Sequence, residues 1–493
     1  MSRVVVIGAG VGGLAVAARL AATGHRVTVC EQAPVVGGKL GSLERDGFRF
    51  DTGPSLLTLP YVFEDLFAAT GAPLAEVLEL VELDPIVRHR FADGTVLDTC
   101  RDPRELRARI AAAFGAPAAA QWQAFAERAA RIWDATRGPF LESPLDGPRT
   151  LLRQAARVGD LRTIAPWRTL RGLTRSYLDD PRLRMLVERY ATYTGSDPRH
   201  APAALASVAH AELHFGGWYV RGGLRRLADA LAGRCAALGV ELCTSTEVIR
   251  VTTEGGRATG VELADGTVHH ADVVVANADA EHVYTDLVPV PAEVRRRAPR
   301  SLSGFVLLLG LRGRTPGLAH HTVTFPADYD AEFDAVFGRE ARPVADPAVY
   351  VSVPPDAAPG GHEAAFVLVN AARHGDAHGA TWRASGPGPG TVDWRTPGLA
   401  ESYADDLVDR LGARDRVLFR EIVSPADLEA GTRAGGGAIY GTSSNGPRAA
   451  FLRPANRSPV PGLFLVGGSS HPGGGLPLVA LSAQITAGLI GGA

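Results

Sequence analysis

Val4-Val5-Val6-Ile7 runs directly into Gly8-Ala9-Gly10-Val11-Gly12-Gly13, an apolar helical pattern continues to Ala22, and a second strand from His25 to Cys30 ends on Glu31. A strand, a glycine turn, a helix and a second strand closed by an acid make the opening unit of a dinucleotide-binding sheet. Gly8 allows the tight turn, Gly10 lets backbone approach a pyrophosphate, and Gly13 lets helix and strand pack closely. The helix N-terminus adds oriented N–H donors and a positive dipole end. Glu31 is placed to hold ribose hydroxyls, which disfavours the 2′-phosphate of NADP. The competing reading is a glycine turn in an ordinary βαβ unit; the two flanking strands and the terminal acid weigh against it.

Three further segments extend the pattern. Glu31-Gln32-Ala33-Pro34-Val35-Val36-Gly37-Gly38-Lys39-Leu40 leads to Gly47-Phe48-Arg49-Phe50-Asp51-Thr52-Gly53-Pro54, two glycine turns around a short β-ribbon. Gly216-Gly217-Trp218-Tyr219-Val220-Arg221-Gly222-Gly223-Leu224 opens a helix to about Leu238, followed by strands at Val240–Leu242, Glu247–Val251 and Ala271–Ala276 and by Asn277-Ala278-Asp279. Near the C-terminus, Leu463-Phe464-Leu465-Val466 enters Gly467-Gly468-Ser469-Ser470-His471-Pro472-Gly473-Gly474-Gly475, then a helix to Ile490. A glycine turn opening a helix is a second place where amides can face an anion or a ring edge.

Taken together, these segments resemble the flavoprotein superfamily of amine oxidases and carotenoid desaturases. The resemblance implies FAD, with Gly37, Gly38 and Lys39 lining it and the Asp51, Gly53, Pro54 turn close to the isoalloxazine. It places the Val248 amide at the adenine, Gly467, Gly468 and Gly475 at the flavin edge, and Asn277-Ala278-Asp279 near the cofactor's outer edge. A β-meander with a polar turn is the plainer reading of Asn277 and Asp279.

A chain of 493 residues, 46% hydrophobic, can bury two cores. The separated cofactor segments predict an α/β protein. Its Rossmann-type FAD-binding domain is discontinuous over 1–90, 216–290 and 440–493. A mixed helical and β-sheet domain, facing substrate and membrane, takes 91–215 and 291–439. A net charge of −2 leaves no electrostatic basis for nucleic-acid binding. Cys30, Cys100, Cys235 and Cys243 form no C-x-x-C pair, and His269-His270 and His320-His321 lack metal-ligand spacing, so neither disulfide nor metal is expected. The chain enters its first strand at once and holds no apolar run of bilayer-spanning length. The expectation is a protein on the cytoplasmic side. Its oligomeric state is not legible.

Arg149, Arg153, Arg157, Arg162, Arg168, Arg171 and Arg175 interleave with apolar residues including Leu161, Ile164 and Trp167. That pattern suits either a solvated helix pair or a segment lying in a membrane interface, where arginines meet lipid phosphate. A lipophilic substrate would favour the second, with peripheral attachment to the inner face of the membrane.

Asp51-Thr52-Gly53-Pro54-Ser55-Leu56-Leu57-Thr58-Leu59, the block from Arg189 to Pro198, Trp218 and His471-Pro472 look like bacterial carotenoid desaturases of the phytoene desaturase type. The likeness covers nearly the whole chain. Arg131-Ile132-Trp133 to Pro139-Phe140, with the Arg189 block, is most similar to the 1-hydroxycarotenoid 3,4-desaturase (hydroxyneurosporene dehydrogenase) branch. Gly467-Gly468-Ser469-Ser470 departs from the Gly-Ala-Gly-Thr that the group often carries. The resemblance implies hydride loss from an acyclic polyene to flavin, proton loss from the neighbouring carbon, and reoxidation by quinone or oxygen. Candidate proton acceptors are Asp51, Asp197 and His471; Asp51 and Asp197 can equally cap turns, and His471 can fix a hydrogen bond. Phytoene desaturation and polyene isomerisation stay open as alternatives. Amine oxidation ranks lower: the lysine many amine oxidases keep near the flavin has no counterpart, since the chain's single lysine, Lys39, lies in the FAD motif.

Overall fold

The computed structural model describes residues 1–145, 158–288, 300–375, 390–446 and 449–493. The run of β-branched valines that opens the chain forms the central strand, Arg3–Ile7, of a five-stranded sheet. Its order is Leu463–Leu465, Val273–Ala276, Arg3–Ile7, Arg26–Cys30, Glu241–Cys243, every pair parallel. Val4 and Val6 face a core with Leu14, Leu20 and Leu481, while Val5 and Ile7 face another with Val251, Val261 and Leu463. A parallel strand buried on both faces reads as a continuous apolar run, which is why four successive aliphatic residues serve here. The helices Val11–Ala22, Arg225–Ala237 and Leu476–Ile490 cover the first face, and the antiparallel sheet Val248–Glu254, Arg257–Leu263, Val268–His270 lies over the second.

A seven-stranded mixed sheet carries the other core, in the order Val417–Val423, Ser303–Leu311, Glu363–Ala371, Val349–Ser352, His321–Thr324, Arg88–Arg90, Val96–Asp98. Every residue of Ser303–Leu311 is buried, with Leu307 paired to Val367 on one side and Ile422 on the other. Phe305, Leu307 and Leu309 pack against Trp394 and Tyr403; Val306 and Leu308 point the opposite way, toward the helices between residues 103 and 215. Arg88–Arg90 pairs in parallel with His321–Thr324, so the chain has already entered this second sheet before position 90, the limit read from the sequence.

The arginine-rich stretch is only partly within the described residues: Arg149, Arg153 and Arg157 lie outside them. Arg162 and Arg175 are exposed, and Trp167 is 68% exposed. Arg171 corrects the surface reading. Its side chain is 12% exposed, held by Glu188 at 2.7 Å and Asp330 at 2.5 Å, and so ties its own helix to two others instead of facing outward.

Candidate active site

The glycine turn has the geometry its spacing requires. Gly8 takes a left-handed φ of 91°, and Gly10 is the extended N-cap residue of Val11–Ala22. A Cβ on Gly13 would stand 2.0 Å from Gly8 O, so helix and strand meet there backbone to backbone. A Cβ on Gly53 would lie 1.9 Å from Lys39 O, which locks the two loops of the β-ribbon segment together. Asn277 is the joint between the N-terminal and C-terminal turns: its Nδ2 donates to Gly8 O at 3.2 Å, and a Cβ on Gly467 would approach its Oδ1 to 2.7 Å.

These elements wall a cavity of about 1380 Å³. Gly8, Gly10, Glu31, Gly38, Lys39 and Val248 belong to its lining. So do Gly53, Pro54, Gly467, Gly468 and Gly475. Gly13 sits behind the turn, in the helix–strand contact. Glu31 is buried, its Oε2 accepting from Ala9 N at 2.6 Å and its Oε1 from Ala33 N at 2.9 Å, so the acid braces the glycine turn as well as bordering the cavity. Lys39 Nζ donates to Ile439 O at 2.9 Å; burial lowers its pKa from the usual ammonium range, against the pull of Asp279.

The cavity continues past the dinucleotide fold to one face of the seven-stranded sheet. Val306, Phe366 and Leu368 contribute apolar wall, and Val208 and Ala211 of the helix Ala206–Phe215 contribute more. Tyr350 and Asn370 are polar positions of the sheet on this wall, the Tyr350 hydroxyl lying 2.6 Å from Ser55 Oγ and 2.7 Å from His321 Nδ1.

None of the three proton-acceptor candidates lines this cavity. Asp51 takes the plainer role: its carboxylate accepts from Leu224 N at 2.8 Å and Arg225 N at 3.0 Å, at the start of Arg225–Ala237, and burial raises its pKa. Asp197, 1% exposed, is bound by Arg199, whose Nη2 approaches to 2.8 Å. His471 donates through Nε2 to Ser143 O at 2.9 Å and meets Phe140 edge-on; burial pushes its pKa down to about 4. A turn-forming Asp or a His beside Pro is distinctive in sequence for the same reason it is structural here: it satisfies backbone.

Two residues in and behind the wall escaped the sequence reading. Glu212 and Arg453 stand in no motif, and only their burial marks them. Arg453 donates to Tyr440 O, Gly468 O and Thr442 O at 2.9, 2.8 and 2.7 Å, fastening the segment 440–442 to the C-terminal glycine turn.

A glycine cradle that side chains would fill, a helix N-terminus and a buried acid just after the second strand together fit the adenine, ribose and pyrophosphate of FAD, with Gly53, Pro54, Gly467 and Gly468 bordering the space beyond. Residues 11–377 match the family model of flavin containing amine oxidoreductases, and the chain belongs to that family. It is an FAD-dependent oxidoreductase. Among curated relatives it is 34% identical to a 4,4'-diapolycopene oxygenase of Methylomonas sp, over 98% of this chain and 97% of that one. It is 34% identical to the hydroxyneurosporene desaturase of Cereibacter sphaeroides, over 98% and 96% of the two chains. A solved structure of wild-type putrescine oxidase bound to putrescine shares the fold, with a TM-score of 0.62 at 16% identity over 99% of this chain and 98% of that one.

Proposed function

We propose that this protein is a carotenoid desaturase that introduces double bonds into an acyclic polyene, and that its substrate is a 1-hydroxycarotenoid desaturated at the 3,4 position. The observation that carries this reading is the apolar sheet face, Val306, Phe366 and Leu368, continuing one cavity with the dinucleotide site, in a chain with full-length relatives named for carotenoid substrates. FAD, when bound, supplies the acceptor for a hydride and its electron pair. The chain's own work is to bind the cofactor through the glycine turns, to exclude water with the apolar wall, and to hold the polyene in register. A polyene offers no charged handle, so shape selects it, while one hydroxyl can be read by a few polar groups.

Incubating the FAD-loaded protein with acyclic carotenoids tests this. The expected product is red-shifted and lighter by about two mass units per new double bond, the hydride and proton removed. The 1-hydroxylated acyclic carotenoid should outrun phytoene. Faster turnover of phytoene moves the protein to the general desaturase branch, an unchanged mass makes it an isomerase, and a gain of oxygen mass makes it an oxygenase. Flavin bleaching by amines and by no polyene removes the carotenoid reading.

A lipophilic substrate also supports peripheral attachment at the inner face of the cytoplasmic membrane, with quinone or oxygen as reoxidant. Among the described residues no helix is long and apolar enough to cross a membrane. Trp167, Arg162 and Arg175 are each exposed and have the residue types suited to the interface. Sedimentation with anionic liposomes should weaken with salt and with Trp167→Ser combined with Arg162→Glu and Arg175→Glu, at unchanged flavin content. A wild-type protein that ignores anionic liposomes at low salt refutes the attachment.

A further inference from the structure

Desaturation of a hydrocarbon leaves one proton to be taken up, and the three acceptors suggested by sequence lie away from the cavity. Only two buried carboxylates line it among the described residues, Glu31 and Glu212. Both oxygens of Glu31 are engaged by the Ala9 and Ala33 amides on the dinucleotide side. Glu212 stands on Ala206–Phe215, beside the Val208 and Ala211 wall, and is 2% exposed. Its Oε1 accepts from Tyr190 OH at 2.7 Å, and its Oε2 is buried without a hydrogen-bond partner. A half-satisfied carboxylate in a wall of this kind is costly to keep and therefore informative.

We infer that Glu212 is the proton acceptor of the desaturation, its carboxylate taking the proton from the carbon next to the one that loses hydride. Two hydrogens leave the substrate. One departs as hydride with its bonding pair, for which the bound flavin is the oxidant; the other departs as a proton to the Glu212 carboxylate, and the bonding pair it leaves becomes the new π bond. The inference rests on the desaturase reading proposed above.

The surroundings set the carboxyl for this task. Burial pushes its pKa up to about 7, while the Tyr190 hydrogen bond and the Arg189 charge restrain the rise. Arg189 is itself 7% exposed and lies over the rings of Tyr193 and Tyr350, at 5.7 and 6.0 Å. Tyr193 and Tyr350, whose own pKa values burial raises, are the other titratable groups coupled to Glu212, and both stay neutral hydroxyls near pH 7. A base whose pKa lies near the working pH combines a deprotonated resting state with useful basicity.

The test compares wild type, Glu212→Gln, Glu212→Asp and Tyr190→Phe, each loaded with FAD, on a polyene that the wild type converts. Glu212→Gln should lose about 100- to 10,000-fold in turnover, the usual worth of a general base, while FAD content and the absorption shift of bound polyene stay unchanged. Glu212→Asp should recover part of the loss. Wild-type turnover should rise with pH to a plateau through an inflection at about 7. Removing the Tyr190 hydroxyl should move that inflection to higher pH, because the hydrogen bond stabilises the charged form. Independently of turnover, a protonated-carboxyl infrared band that fades over the same pH range should vanish in Glu212→Gln. Full turnover in Glu212→Gln, or an inflection that stays put in both Glu212→Gln and Tyr190→Phe, overturns the assignment and leaves the desaturase reading standing; no conversion of any polyene by the wild type overturns both.

Discussion

Gly10→Val should yield folded, colourless protein. Gly10 has a φ of −70° and a ψ of 174°, a conformation valine tolerates, so the backbone itself gives no reason to unfold. Its side chain, however, would begin 2.9 Å from Asn277 Nδ2, and the neighbouring Gly38 already lies so close that a Cβ there would stand 3.2 Å from Gly10 Cα. With both protein sides closed, the valine methyls must project toward the cavity that Gly10 lines, where the pyrophosphate is expected. The loss in FAD affinity should be at least on the order of 100-fold, about 2.8 kcal/mol. Circular dichroism and flavin absorbance measured together check it. Gly13→Val is the contrast, since its Cβ would collide with Gly8 O and the whole βαβ unit should fail. Yellow Gly10→Val protein with FAD at full occupancy would refute the placement of the cofactor.

Arg453→Met is expected to have the larger effect on stability. Arg453 is 7% exposed, and its guanidinium pairs with no carboxylate among the described residues; three carbonyl oxygens satisfy it instead. Burial pushes its pKa down to about 10, which still leaves it protonated at neutral pH. Methionine fills similar space but leaves the carbonyls of Tyr440, Thr442 and Gly468 without a donor, at roughly 1–3 kcal/mol for each buried group. Partial relaxation of the loops brings the expected total to about 3–5 kcal/mol, less than the upper sum of three unsatisfied carbonyls. Because Gly468 borders the cavity, FAD occupancy should fall as well. Arg453→Lys should be intermediate, since one ammonium cannot reproduce a planar fork with three acceptors. Excess FAD should raise the melting temperature of the methionine variant by mass action. A melting temperature and flavin content equal to wild type would show that the clamp is dispensable.

The dinucleotide half of the site was legible because its determinants are local. Gly8, Gly10, Gly13 and Glu31 lie within one strand–turn–helix–strand, and the requirement for positive φ or close backbone approach is written into residue type. The 38–39, 53–54 and 467–475 segments are equally short and equally rich in glycine, so their place beside the cavity could be expected before any packing was known. The second sheet was legible only as a class. Its central strand, Ser303–Leu311, pairs with Glu363–Ala371 and Val417–Val423 across long intervals of chain, and periodicity does not give pairing.

What sequence alone determined, then, is the cofactor fold: glycines at defined spacing admit few other backbones, and an acid after the second strand suits few other ligands. Tertiary structure alone decided which acids face the cavity. Asp51 looked reactive beside its glycine turn, yet it is spent on the amides of Leu224 and Arg225, 173 and 174 positions away. Glu212 looked like any helical glutamate, and becomes distinctive only when Tyr190 and the cavity wall close around it. Burial and desolvation are properties of the packed molecule rather than of a residue and its neighbours in the chain, so the same carboxylate reads as solvated in sequence and as a poised base in the fold.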